Sequence, residues 1–273
     1  MNITKIAFLI IAFVACVIST PALAEYANTA HWGGFPDPVG PTGAIITDVY
    51  NFMFWITVVV AIIVEVGLLI CIWKFRQSKN KTPSKCTHNV PLEIVWTVVP
   101  ILACAGILWK SMDAMITLRT MPEEGINIEA LAYQFGWDFT YPDLNIVSPE
   151  AEDIHAQLSS AGEDRYVKDM VVPVNTNIKL HVTAKDVIHA FHSSGLGIKI
   201  DAMPGRINYV WFKAEKTGDY IGQCAELCGS AHGEMFFNIK VVSKPEYLNW
   251  VNVQRTEEGL VPVSLAQLAS LSK

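Results

Sequence analysis

The stretch Gln223-Cys224-Ala225-Glu226-Leu227-Cys228-Gly229-Ser230-Ala231-His232-Gly233-Glu234-Met235 places two thiols, an imidazole and a thioether in one short loop. Soft sulfur ligands combined with imidazole select copper over the hard cations. A second imidazole stands upstream in Asp186-Val187-Ile188-His189-Ala190-Phe191-His192. Together Cys224, Cys228, His189, His232 and Met235 exceed what one copper needs. They suit a pair of copper ions bridged by the two sulfurs, a set suited to electron transfer. A Cys-x3-Cys pair in an exported domain is commonly a disulfide. A disulfide has no use, however, for His232 four residues after Cys228 or Met235 three residues after His232. Zinc also suits two cysteines and two histidines in a closed tetrahedral site, but zinc would not need Met235.

Short β-type runs surround this loop. They are Ile126–Ala132, Asp138–Tyr141, Asp169–Val172, Ile178–Ala184, Asn208–Ala214, Gly218–Gly222 and Met235–Val242. Several alternate apolar and polar residues, as in Asn177-Ile178-Lys179-Leu180-His181-Val182-Thr183. Strands at this spacing predict a β-sandwich over about residues 120–243. A metal loop between the last two strands, with His189 from an earlier loop, is a cupredoxin-like layout. Residues 149–164 read as a polar surface loop with one helical turn. The tail, 244–273, opens Lys244-Pro245-Glu246 and reads as a helix followed by a loose end. No Cys-x-x-Cys-His sequence occurs, so no covalent haem is expected.

The rest of the chain points to a membrane. Of 273 residues, 51% are hydrophobic, too many for an ordinary soluble protein and too few for a polytopic transporter. Residues 1–24 read as a signal peptide: Lys5, an apolar run Ile6–Ile18, and Ala22-Leu23-Ala24 as a cleavage site. An uncleaved anchor helix is the alternative. An outer segment, 25–47, precedes a transmembrane hairpin over 48–113, with spans at about 49–73 and 92–110. Trp55, Trp73, Trp96 and Trp109 lie toward the span ends, as interfacial aromatics do. Between the spans stand Lys74, Arg76, Lys79, Lys81 and Lys85 and no acid, which places this loop in the cytoplasm and both flanks outside. The expected location is the bacterial inner membrane, crossed twice, with the C-terminal domain in the periplasm. The net charge of -6 argues against nucleic acid and suits a basic partner. Cys16, Cys71, Cys86 and Cys104 read as small buried hydrophobes or inert thiols. Glu65 within the first span and Glu93 at the mouth of the second are ionisable groups that face protein or water.

These residues resemble subunit II of the haem–copper cytochrome c oxidases. The matching segments are Pro91-Leu92-Glu93-Ile94-Val95-Trp96-Thr97-Val98-Val99-Pro100, Asp186-Val187-Ile188-His189, Gly197-Ile198-Lys199-Ile200-Asp201-Ala202-Met203-Pro204-Gly205-Arg206, and Gly222 through His232. The resemblance covers about residues 25 to 250. It implies a dinuclear copper centre, CuA, in which Cys224 and Cys228 bridge the ions and His189 and His232 each bind one. Met235 and the Glu226 carbonyl would be weak axial ligands, and the Glu226 carboxylate would reach a magnesium shared with subunit I. His192 is not a ligand in this pattern.

The implied role is the subunit through which electrons enter a respiratory terminal oxidase. Electrons from cytochrome c would pass to haem in subunit I, where oxygen is reduced to water with proton pumping. The partners are subunits I and III, cytochrome c and the membrane. Glu93 matches the family's mouth of a proton channel. One segment departs from the family. Gln134-Phe135-Gly136-Trp137 stands where the family has Gln-Trp-aromatic-Trp. With Phe135 replacing the usual tryptophan, Trp137 becomes the candidate for accepting electrons. Asp138, Asp143 and Asp186 are candidates for steering a basic cytochrome c. The alternatives are a membrane-anchored copper-delivery protein of thioredoxin-like type, a quinol-oxidase subunit of the same fold, and the CuA subunit of a nitric-oxide-reducing relative.

Overall fold

The computed structural model describes residues 37–82, 84–148 and 168–271. The expected signal peptide and the polar loop 149–164 lie outside the described residues. Two compact units result, residues 45–120 and the remainder.

The first unit is a helical hairpin. Helix α1 (Pro41–Lys74) and helix α2 (Val90–Arg119) run past the apolar stretches at both ends. At 1.5 Å per residue they extend roughly 51 and 45 Å, more than a bilayer core of about 30 Å requires. Large apolar side chains from Val59 to Ile72 and from Val90 to Ile116 are exposed, and the most apolar window of each helix has no buried residue. A helix apolar all round belongs in lipid or against other helices. An ion pair between Lys110 and Asp48 ties the two helices together. Pro100 sits inside α2, a placement that membrane helices tolerate because neighbouring groups satisfy the freed carbonyl.

The second unit is a sandwich of two five-stranded sheets. One sheet has the order β3-β2-β1-β5-β8. These strands are β1 (Ile126–Tyr133), β2 (Gly136–Tyr141), β3 (Ile146–Val147), β5 (Asn177–Ala184) and β8 (Asn208–Lys213). The other has the order β4-β10-β9-β6-β7. Its strands are β4 (Asp169–Pro173), β6 (His189–Ser193), β7 (Ile198–Ala202), β9 (Gly218–Cys224) and β10 (Phe236–Val242). β1 pairs parallel with β5, β4 parallel with β10, and the other pairings are antiparallel. Period-two alternation sends Ile128, Ala130, Ile178, Leu180, Val182 and Phe212 inward from one sheet. Met170, Phe191, Phe237, Ile239 and Val241 meet them from the other.

β3, β6 and β7 were not among the expected strands. His189-Ala190-Phe191-His192-Ser193 lacks alternation because four of its five residues are buried. His189 therefore opens a strand instead of lying in a loop. The tail also differs from the expected loose end. After α3 (Lys244–Glu257), a second helix, α4 (Leu265–Leu271), follows, and Leu268 packs onto the core. The connection is held by Asn252, whose side chain bonds both the N–H and the carbonyl of Val263. Arg255 adds bonds to the carbonyls of Val261 and Leu144. Such long-range contacts leave no periodic trace.

Candidate metal centre

The loop from Ala225 to Met235 joins β9 to β10 at one end of the sandwich. Its two ends are clamped where Cys224 N–H donates to the Met235 carbonyl at 2.9 Å. Ala225 N–H donates to Ala190 on β6 at 3.0 Å, which brings the loop over His189. Beneath it lie Trp137, Phe191 and Phe237, with ring centroids 4.4 to 5.6 Å apart. Gly222 makes room for this floor, since a Cβ there would lie 1.9 Å from the Phe237 ring.

The donor atoms form a row. His189 Nδ1 lies 3.9 Å from Cys224 Sγ, Cys224 Sγ 3.9 Å from Cys228 Sγ, and Cys228 Sγ 3.5 Å from His232 Nδ1. Met235 Sδ approaches Cys228 Sγ at 3.8 Å, and the Glu226 carbonyl approaches Cys224 Sγ at 3.3 Å. Both cysteines are free and only 5% exposed. Ligand atoms of His189, Cys224 and Cys228 all lie within 4.8 Å of one another, and His232 adjoins this set from the Cys228 side. Two soft sulfurs flanked by two imidazoles, in a buried pocket with a thioether, fit copper by donor chemistry.

The surrounding groups prepare these ligands. His189 Nε2 lies 2.9 Å from Asp186 Oδ1, and this contact turns the ring so that Nδ1 faces Cys224 Sγ. Burial acts to raise the Asp186 pKa. Hydrogen bonds from the His189 ring and from the Gln134 and Val187 N–H groups outweigh it and hold the carboxyl down at about 2. Burial, followed by the neighbouring Cys224 sulfur, pushes the Cys228 thiol up to about 11. The metal-free Cys228 thiol therefore keeps its proton at neutral pH, and binding a cation there releases it.

Comparison with known proteins assigns the family. The family profile described as cytochrome C oxidase subunit II, transmembrane domain, matches residues 27–113, and the one described as its periplasmic domain matches residues 126–242. Cytochrome c oxidase subunit 2 of Cereibacter sphaeroides is 36% identical over 245 residues, covering 81% of this chain and 80% of that protein. The chain belongs to the cytochrome c oxidase subunit II family. A crystal structure of the periplasmic domain of subunit II of cytochrome oxidase from Bradyrhizobium japonicum is 40% identical. It covers 50% of this chain and 99% of that one, with a TM-score of 0.45.

Subunit II is thus an oxidase component whose other expected site residues now have positions. The sequence-expected ligands His189, Cys224, Cys228, His232 and Met235 come together, and the Glu226 carbonyl joins them while its side chain stays exposed. His192 donates from Nδ1 to the Ile198 carbonyl at 2.9 Å and faces away from this row. Trp137 is 2% exposed, edge-on to His189 at 6.4 Å, and its indole N–H has no partner. Phe135 is half-buried and lies against Gly229 of the loop.

The candidate steering carboxylates all have internal partners. Asp138 pairs with Lys168 at 2.8 Å, Asp143 accepts from Asn127 at 2.8 Å, and Asp186 serves His189. Glu93 lies in the first turn of α2. It accepts from Asn89 N–H at 3.0 Å while the Asn89 side chain accepts from Leu92 N–H at 3.2 Å. Sequence reasoning gave Gln134 no role beyond the family pattern. Its side chain donates to the Cys228 carbonyl at 2.5 Å, a link between distant segments.

Proposed function

We propose that this chain is the subunit through which electrons enter a respiratory cytochrome c oxidase, holding the dinuclear copper centre CuA. The observation that carries the reading is the row of donors in which each histidine stands beside a different cysteine. Six donors are more than a tetrahedral zinc uses, and the two central sulfurs are placed to serve two ions at once. Bound copper supplies one-electron transfer. The chain's own residues do the rest: Cys224 and Cys228 yield their protons to become thiolates, and Asp186 holds the His189 ring in one orientation. Trp137, Phe191 and Phe237 exclude water, and the two packed sheets keep every ligand in place. A donor set held this rigidly changes little between redox states, which favours fast electron exchange.

The domain then lies in the periplasm and the Lys74–Lys85 loop in the cytoplasm, supported by that loop's charge. Electrons from cytochrome c pass to haem in subunit I, where oxygen is reduced to water with proton pumping. Val187, Ile188 and Leu227 are exposed beside the metal loop and suit partner docking. The exposed Glu226 carboxylate is free to hold a magnesium shared with subunit I. Glu65 on α1 would pair with a neighbouring subunit, and subunit III completes the membrane core. The test is metal analysis with electron paramagnetic resonance on the purified chain. Two coppers per chain sharing one unpaired electron are expected. A single copper, or tightly bound zinc, would overturn the dinuclear reading.

A further inference from the structure

The turn between β1 and β2 touches both arms of the metal centre. Its Gln134 N–H donates to Asp186 Oδ2 at 2.7 Å, and Asp186 Oδ1 holds His189 Nε2 at 2.9 Å. The Gln134 side-chain amide donates to the Cys228 carbonyl at 2.5 Å. The same residue therefore reaches the histidine at one end of the donor row and the cysteine nearer the other. Gly229, with φ +143°, lies so close to the turn that a Cβ would meet the Phe135 ring at 2.9 Å and Gln134 Nε2 at 3.0 Å. The turn is seated on the loop by hydrogen bonds and by packing, and neither kind of contact needs a metal.

We propose that Gln134 is a positioning residue for the copper ligands, fixing the placement of Cys228 relative to His189 from outside the ligand shell. The loop Ala225–Met235 carries four of the ligating groups, yet few backbone bonds hold its middle. The bonds from His232 N–H to Gly229 and from Glu234 N–H to Ala231 are internal to the loop. They shape it but do not fix where it sits. The Gln134 amide grips the loop at a ligand residue, because its partner, the Cys228 carbonyl, belongs to the same residue as the sulfur. The amide must donate for this contact, so a carboxylate of the same shape would repel the carbonyl. Residues that orient metal ligands from outside typically change affinity by about tenfold to a hundredfold when replaced.

This inference rests on the copper reading of the site, and its test has two arms. Q134L and Q134E are made in the full-length chain. In the copper-loaded form, transfer of copper to a chelator should be roughly tenfold or more faster in both variants, on the scale of such outer contacts. The copper hyperfine spectrum should also shift. In the metal-free form, hydrogen exchange of the peptide spanning 225–235 should speed up in both variants while strands β1 and β5 keep parental protection. Parental chelator kinetics and spectrum in Q134L overturn the role, as does parental behaviour in Q134E, which would make shape rather than donation the point. A parent chain that takes up no copper fails the copper reading instead. The exchange arm then decides on Gln134 by itself, and unchanged exchange in the variants overturns it.

Discussion

Cys224 and Cys228 face each other across 3.9 Å, each with its own imidazole neighbour. Replacing either with serine removes a ligand from both proposed ions. Cys224→Ser or Cys228→Ser should therefore abolish the dinuclear spectrum rather than halve it, as metal content and electron paramagnetic resonance will show. Gly222 supports the same site by absence: a methyl group there would run into the Phe237 ring. Gly222→Ala should cost roughly 1–3 kcal/mol, the usual penalty for overpacking. It would be read as a lower temperature for loss of the copper absorption bands. Trp137 is buried edge-on to His189 and leaves its indole N–H unpaired. Removing an unpaired donor is cheap, so Trp137→Phe should keep the copper spectrum while slowing reduction by cytochrome c. Unchanged reduction kinetics would reduce Trp137 to packing.

Two helix starts carry further predictions at the scale of the element. Glu93 accepts the Asn89 N–H and so helps to cap α2. Glutamine in its place still accepts that bond but carries no charge and no exchangeable carboxyl proton. Glu93→Gln should slow oxygen uptake while leaving copper loading and copper reduction intact, measured by oxygen electrode beside stopped-flow spectroscopy. Full turnover would leave Glu93 as a cap alone. At α3, the Ser243 hydroxyl and backbone N–H hold the Glu246 carboxyl below its usual value in a reciprocal cap. A depressed folded-state pKa means the stabilisation is complete above the ordinary carboxylate range and is lost as pH falls through the folded value. Amide protection in the first turn of α3 should therefore drop on acidification in the parent and stay flat in Glu246→Gln. A flat parent profile would dismiss the cap as a pH-dependent element.

At the scale of the whole molecule, five cations and no acid between two apolar helices imply an orientation. Protease added outside intact spheroplasts should digest the β-domain and spare the Lys74–Lys85 loop; the reverse pattern would invert the topology. The charge available for a basic cytochrome c is smaller than the count of acids implies. Asp138 is matched by Lys168, while Asp143 and Asp186 keep their charge. Neutralising Asp138 should accordingly change the ionic-strength dependence of cytochrome c reduction less than neutralising Asp143.

Sequence alone settled the two membrane-capable helices, the sandwich and the donor types, because each leaves a local signature. Long apolar runs span a bilayer, alternation marks half-buried strands, and soft ligands crowd one short loop. Tertiary structure decided what depends on distant segments meeting. β6 escaped sequence reading because a strand buried on both faces shows no alternation. Sequence named Trp137 as a candidate for accepting electrons, but its burial beside His189 was not legible, since that depends on the packing of two sheets. Gln134 and Asp186 stand 52 residues apart and Gln134 and Cys228 stand 94 apart. Their contacts exist only once the folded sandwich brings the β1–β2 turn against the metal loop, because hydrogen bonds act over a few ångströms in space and are blind to separation along the chain.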